Sequence, residues 1–263
     1  MAKLNGSLLW ELSLSSSDAK SYVFGTMHAG SDEAYSFYNL AARYITNCTC
    51  FANEADLNEM NRGNAHLYLE GDQTLKTLIP EKKYIKIARI IKKSSGLELE
   101  ALDRFKPIII QNLMMESELM NNSRPPLDWQ LKMLADQLGL RQTGVETVED
   151  QIRIMNAIPL KIQLKTLLKS IKRLKESKRG FKKLIRHYKM ADLQKMSEQT
   201  KKSLGSLRKL MLYDRNVKMA DWIFTQSSIE NTFVAIGAAH LGGNKGVLNL
   251  LRKKGFLLKA IHE

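Results

Sequence analysis

One pattern occurs twice, near opposite ends of the chain. Tyr22-Val-Phe-Gly25-Thr-Met-His28-Ala-Gly30 and Val234-Ala-Ile-Gly237-Ala-Ala-His240-Leu-Gly242 each join an apolar strand to Gly-x-x-His-x-Gly. A buried strand ends there, glycine permits a tight turn or a close backbone approach, and the histidine is left at the edge of rigid structure. Strands from both ends of the sequence therefore point to one shared sheet. Open sheets bind ligands beyond the carboxyl ends of their strands, which is where His28 and His240 fall.

The rest of the chain is organised around those strands. Residues 8–14 alternate apolar and polar side chains, 15–20 form a Ser/Asp-rich turn, and a second strand starts at Ser21, which predicts a β-hairpin. Residues 33–46 read as a helix with Tyr38, Ala41, Ala42 and Ile45 on one face. A short strand over 49–52 leads to Glu54, and another over 142–145 leads to Glu146. Between them, 75–138 is mostly helical, with Pro80, Pro107 and Pro125-Pro126 near helix starts. Thr147 to Asp150 resembles a capping box, and helical spacing runs on to about Phe224 with breaks near Gly180 and Gly205. A strand over 232–236, a helix over 244–253 stopped by Lys253-Lys254-Gly255, and a strand over 256–261 close the chain. The fold class is α/β, or mixed α+β. A mixed central sheet is built from N- and C-terminal strands with flanking helices, in a single domain spanning 1–263, with a helical basic insertion across about 152–226.

At 263 residues and 44% hydrophobic, the chain can bury a substantial core, which excludes wholesale disorder. No run approaches the roughly 20 apolar residues of a membrane-spanning helix. The opening residues carry no basic-then-apolar signal pattern. Cys48 and Cys50, one residue apart, suit neither a disulfide framework nor a zinc site and read as two strand-borne thiols on one face.

Charge is unevenly distributed. Residues 161–209 hold 17 Lys and Arg against Glu176, Asp192 and Glu198, a net +14 that equals the net charge of the whole chain. That segment suits an anionic membrane surface. Nucleic acid is the poorer fit, because only Phe181 and Tyr188 are available for stacking. A solvated helical face whose leucines dock on the core is the plainer alternative.

Two neutral imidazoles and two carboxylates make a site for a divalent transition metal with room for water. Glu54 and Glu146 follow strands just as His28 and His240 do. A metal there would acidify its water and polarise a carbonyl, which is hydrolase chemistry. His66, His187 and His262 lack such context and read as surface residues.

At this point the chain resembles the TraB/GumN family, which includes the Tiki metalloproteases. The resemblance rests on Leu9-Trp10-Glu11 with Tyr22 to Gly30, Glu54-Ala-Asp56-Leu, Leu127-Asp128, Gly144-Val-Glu146-Thr-Val-Glu-Asp-Gln151, Asp214-Arg215-Asn216, and Phe233 through Gly243. It continues through Gly246-Val-Leu and Lys253-Lys-Gly255-Phe, so it covers almost the whole chain. Gly-Val-Glu146 stands where Gly-Leu-Glu is commoner. The resemblance implies a metal-dependent hydrolase, peptidase-like, with Mn or Co favoured and Zn possible as cofactor. His28 and His240 carry over as motif histidines and metal ligands, and Gly25 and Gly237 as motif glycines. Glu54 and Glu146 carry over as third ligand and general base in either order. Arg215 is the motif arginine, for an oxyanion or a substrate carboxylate, or else an ion pair with Asp214. Asn216 would orient water or substrate. The expected partner is a peptide or a small amide or ester. The alternatives are a binding protein that keeps the fold without catalysis, and an interaction module working through the basic helices. Members are often exported or membrane-associated, and the compartment of this chain is left open.

Overall fold

The structure, a computed structural model, describes residues 4–15, 17–56, 65–119 and 124–262. Six strands form one mixed sheet: β1 (Leu9–Leu14), β2 (Ser17–Thr26), β3 (Cys50–Ala55), β4 (Arg141–Glu146), β5 (Thr232–Gly237) and β6 (Leu257–Ile261). Their order across the sheet is β4-β3-β5-β2-β1-β6. The four strands β4, β3, β5 and β2 run parallel, while β1 lies antiparallel between β2 and β6. This is the mixed α/β sheet fed from both ends of the sequence.

Burial follows from position in the sheet. β5 lies between β2 and β3, and Thr232–Ile236 are buried without a break, as a strand covered on both faces requires. The edge strand β4 is more polar: it reads Arg-Gln-Thr-Gly-Val-Glu and is buried only at Val145 and Glu146. Phe24, Phe233 and Phe51 pack in a row across β2, β5 and β3, with the Phe51 and Phe233 rings stacked at 6.1 Å between centroids. All four parallel strands end at the same edge, which brings Thr26, Ala55, Glu146 and Gly237 together.

Thirteen α-helices are present among the described residues. The first two, α1 (Asp32–Tyr35) and α2 (Tyr38–Ile45), follow β2. Between β3 and β4 come α3 (Leu75–Leu78), α4 (Glu81–Ser95), α5 (Pro107–Leu119) and α6 (Leu127–Gln137). Between β4 and β5 come α7 (Val148–Asn156), α8 (Leu160–Lys172), α9 (Leu174–Lys189), α10 (Leu193–Leu204) and α11 (Asp214–Ser227). Two more, α12 (Ala238–Leu241) and α13 (Val247–Lys253), lie between β5 and β6. Among the described residues no helix is long and apolar enough to cross a membrane.

The helices divide between two hydrophobic clusters. The larger one surrounds the sheet and includes Tyr188, Leu193 and Met196 from α9 and α10. The smaller joins Leu75, Ile79, Tyr84, Ile87, Ile91, Leu99, Ile110 and Met114 to Leu167 and Ile171 of α8. The basic segment is thus tied to both clusters by its leucines and aromatics, and Lys161, Lys165 and Lys169 stand exposed on α8 at helical spacing.

Several elements differ from the sequence expectation. The helix expected over 33–46 is two helices: the chain leaves α-geometry at Phe37, whose ring packs edge-on against Tyr188 at 5.8 Å. The strand expected over 49–52 extends to Ala55, because β4 keeps pairing with it as far as Ala55 opposite Glu146. Glu54 therefore lies within the strand. Cys48 precedes that strand in the turn out of α2, so the two buried, free thiols do not share a strand face. His187 is no surface residue. It follows Leu184 at helical spacing beside Tyr188 and is buried, and burial pushes its pKa down.

Candidate active site

The carboxyl edge of the parallel strands holds a connected polar network. Glu54 comes from β3, Glu146 from the last position of β4, and His240 from α12 directly after β5. Arg215 and Asn216 come from the first turn of α11, which a π-helical stretch, Lys209–Tyr213, leads into. Such stretches are rare and concentrate at functional sites.

Arg215 is the hub. Its Nε donates to Glu146 Oε1 at 3.0 Å and Oε2 at 3.1 Å, and its Nη2 donates to both Glu54 Oε1 and Glu146 Oε2. The guanidinium side chain is 11% exposed and Glu146 only 2%. Asp214 does not pair with it, being held by Lys209. Glu54 spends its second oxygen on the Gly237 N–H at 2.8 Å. A planar fork between two carboxylates is the geometry arginine suits best.

His240 sits against this pair. Asn216 Nδ2 donates to the Lys245 carbonyl at 2.7 Å, which leaves its Oδ1 to accept from His240 Nδ1 at 2.6 Å. The imidazole therefore carries its hydrogen on Nδ1 and turns the Nε2 lone pair toward Arg215 Nη1, 3.5 Å away, with Glu54 Oε1 at 3.9 Å. Burial pushes the His240 pKa down to about 4, and Arg215 pushes the same way against the pull of Glu54. Burial disfavours the charged form of Glu54, but His240, Arg215 and the Gly237 N–H outweigh it and hold its carboxyl down at about 2. At neutral pH the imidazole is neutral, Glu54 is ionised, and Arg215 with the Gly237 N–H sustains that charge. Burial works against the Arg215 cation too, yet Glu54 and Glu146 raise its pKa. Two carboxylates facing one guanidinium leave the cluster short of one positive charge.

His28 lies two residues beyond β2, and its side chain is 57% exposed. It is close enough to Glu54 to feel that charge, but it is bonded elsewhere. Its Nδ1 meets Asp128 Oδ2 at 2.8 Å, and its Nε2 stands 3.9 Å from Glu116 Oε1. The Asp128 bond raises the His28 pKa against the opposing effect of burial. The structure thus gathers Glu54, Glu146, Arg215, Asn216 and His240 into one network and sets His28 on the neighbouring strand end.

The motif glycines act by absence of bulk. A Cβ on Gly25 would lie 2.8 Å from Leu241 Cδ1 and 2.9 Å from Ala238 Cβ, so the lack of one lets α12 lie against β2. A Cβ on Gly237 would lie 3.1 Å from Glu54 Oε2 and 3.6 Å from the His240 ring. Gly25 therefore makes room for the helix that carries His240, and Gly237 for Glu54 and the His240 ring.

The donor types suit a divalent ion, but their arrangement does not fit one. Among the described residues no three His, Cys, Asp or Glu side chains converge to hold a metal. Arg215 stands between Glu54 and Glu146, and His28 faces Asp128 and Glu116.

Asp128 and Glu116 were not picked out as site residues from the sequence. Asp128 follows Pro125-Pro126 in the first turn of a helix, where an acidic residue is expected for the dipole alone. Only its place beside Leu127 in the family pattern marked it.

The profile of the TraB/PrgY/gumN family matches residues 8–260. The chain belongs to the TraB/PrgY/gumN family. Among its curated relatives, Metalloprotease TIKI2 of Danio rerio is 23% identical over 95% of this chain and 60% of its own length. Metalloprotease TIKI1 of Xenopus tropicalis is 22% identical with the same two shares, and a Metalloprotease TIKI homolog of Nematostella vectensis is 24% identical over 59% of this chain and 40% of its own. This TraB/PrgY/gumN chain spans 60% of the length of the first of these relatives. No solved structure matches it at a significant level.

Proposed function

We propose that the chain hydrolyses an amide bond in a peptide substrate, with the carboxyl edge of the parallel strands as its active site. One observation carries the reading: the Glu54–Arg215–Glu146 cluster, with neutral His240 against it, sits at that edge, where the neighbouring strand β2 leads to His28. A buried cluster of opposed charges with shifted ionisation at the end of parallel strands is costly to build for stability alone. The relatives named metalloproteases supply the reaction class.

The chain's own groups divide the work. His28, exposed and bonded through Nδ1, takes the proton of the attacking water on Nε2 as the water oxygen bonds to the carbonyl carbon. It returns that proton to the amine nitrogen as the carbon–nitrogen bond breaks. Arg215, fixed by both glutamates, is the donor that orients the carbonyl, and His240, fixed by Asn216, steadies its Nη1 through the Nε2 lone pair. The relatives' names bring with them a divalent ion, Mn or Co by family resemblance. In this chain such an ion would require Arg215 to release a glutamate.

The test is turnover of a quenched fluorescent peptide library, with and without a chelator, followed by addition of Mn, Co or Zn. Cleavage abolished in His28→Ala, His240→Ala and Glu54→Gln is the expected result. No cleavage under any metal condition, or cleavage that survives these substitutions, removes the reading. A partner surface for anionic lipid belongs to the same proposal. Exposed Lys161, Lys165 and Lys169 and the 62%-exposed Met190 support it, while Phe181 and Tyr188 pack inward. Salt-sensitive sedimentation with anionic but not neutral vesicles is the check.

A further inference from the structure

The two motif histidines occupy equivalent places in the repeated pattern, yet the structure backs them with different chemistry. His240 Nδ1 faces a neutral amide, Asn216 Oδ1. His28 Nδ1 faces a carboxylate, Asp128 Oδ2, at 2.8 Å. The other oxygen of Asp128, Oδ1, is buried with no partner among the described residues, so the imidazole is the donor this carboxylate has there. Its neighbourhood is built to hold that pairing. The Leu127 N–H donates to the Ala29 carbonyl at 3.1 Å, one residue past His28, and the Tyr35 hydroxyl donates to the Pro125 carbonyl at 2.9 Å. Gly30 comes so close that a Cβ there would lie 2.2 Å from the Arg124 carbonyl oxygen. The first turn of α6 is thereby clamped to the turn that carries His28.

We propose that Asp128 is the positioning residue of His28. An ionised carboxylate only accepts, and Asp128 is within hydrogen-bond reach of Nδ1 at 2.8 Å while Glu116 stands 3.9 Å from Nε2, so the hydrogen is fixed on Nδ1 and the lone pair is placed on Nε2. In water the neutral imidazole carries its hydrogen mainly on the other nitrogen. Asp128 therefore reverses the resting tautomer and holds the ring plane, which gives His28 a directed base where a free imidazole would present an N–H. The proposal rests on the hydrolase reading for its purpose, but the tautomer is measurable without any substrate.

Long-range proton–nitrogen NMR on histidine-labelled protein at alkaline pH reads the tautomer directly, with His28→Ala assigning the resonance among the five histidines. The wild-type chain shows His28 protonated on Nδ1, and Asp128→Ala moves it predominantly to Nε2. His28 protonated on Nε2 in the wild type overturns the proposal with no variant needed, as does an unchanged tautomer in folded Asp128→Ala. On the fluorescent peptide library, Asp128→Ala lowers kcat by about 10²–10⁴-fold, the scale of one general base, with KM little changed. Loss confined to KM argues for a binding role and against positioning. If no peptide is cleaved by the wild type, the hydrolase reading fails, and the NMR result still decides the role of Asp128.

Discussion

Arg215 is the single charge that makes its surroundings tenable. Replacing it with Met leaves Glu54 and Glu146 facing each other with no cation between them, and truncating one partner of a buried pair costs about 3–5 kcal/mol. Arg215→Met should lower the unfolding free energy obtained from urea titration by that amount, whereas the triple change to Arg215→Met, Glu54→Gln and Glu146→Gln should recover much of it. A recovery that fails to appear would mean the carboxylates are not what the guanidinium offsets. The same residues set an acid limit. His240 in the folded chain resists a proton that the unfolded chain accepts at an ordinary 6.5, so stability falls as pH drops from about 6.5 to about 4. Glu54 contributes in full above its ordinary 4.5, and its share, up to about 3 kcal/mol, is lost as pH falls through about 2. Denaturation midpoints across pH should thus show two descending limbs, the upper shallower in His240→Gln and the lower shallower in Glu54→Gln. An upper limb unchanged in His240→Gln would contradict a buried neutral His240.

Among the elements, α12 is one of the shortest, yet the site depends on it. It is four residues long and carries His240, and its seat on β2 exists because Gly25 has no side chain. Gly25→Ala forces a methyl group into Leu241 and Ala238, and overpacking of this kind costs about 1–3 kcal/mol. Gly237→Ala meets only the end of Glu54, so it should leave the melting temperature near wild type while cutting turnover at least tenfold; calorimetry beside the peptide assay separates the two. These elements also show how far the sequence could be read. Strands β2 and β5 were legible because an apolar run ending in glycine has few other uses, and His28 and His240 were legible with them. Glu54 and Glu146 were recognisable by position after a strand, but not the cation between them. That pairing spans 161 and 69 residues and depends on the angle of α11, which no local pattern encodes. The inward place of His187, shared with Leu184 and Tyr188, is hidden in the sequence by its basic neighbours Lys183, Arg186 and Lys189. The split of 33–46 depends on Phe37 meeting Tyr188, a contact with no signature in either segment.

The whole molecule is held by two hydrophobic clusters of unequal size, one around the sheet and one among α3, α4, α5 and α8. The smaller has no strand in it and is joined to the rest chiefly through α8 and its neighbours. Native-state hydrogen exchange should find the amides of α4 and α5 opening at lower free energy than those of β2 and β5, which close only with global unfolding. Equal protection in both regions would show the clusters to be one cooperative unit. The position of β5 between β2 and β3 has a further consequence. A ribosome delivers β2 and β3 nearly two hundred residues before the strand that belongs between them. Through most of synthesis, the inner edges of both wait without a partner, and a nascent chain offers any passing extended peptide the place reserved for residues 232–237. Cells that make this protein have reason to keep a chaperone near its emerging amino-terminal half.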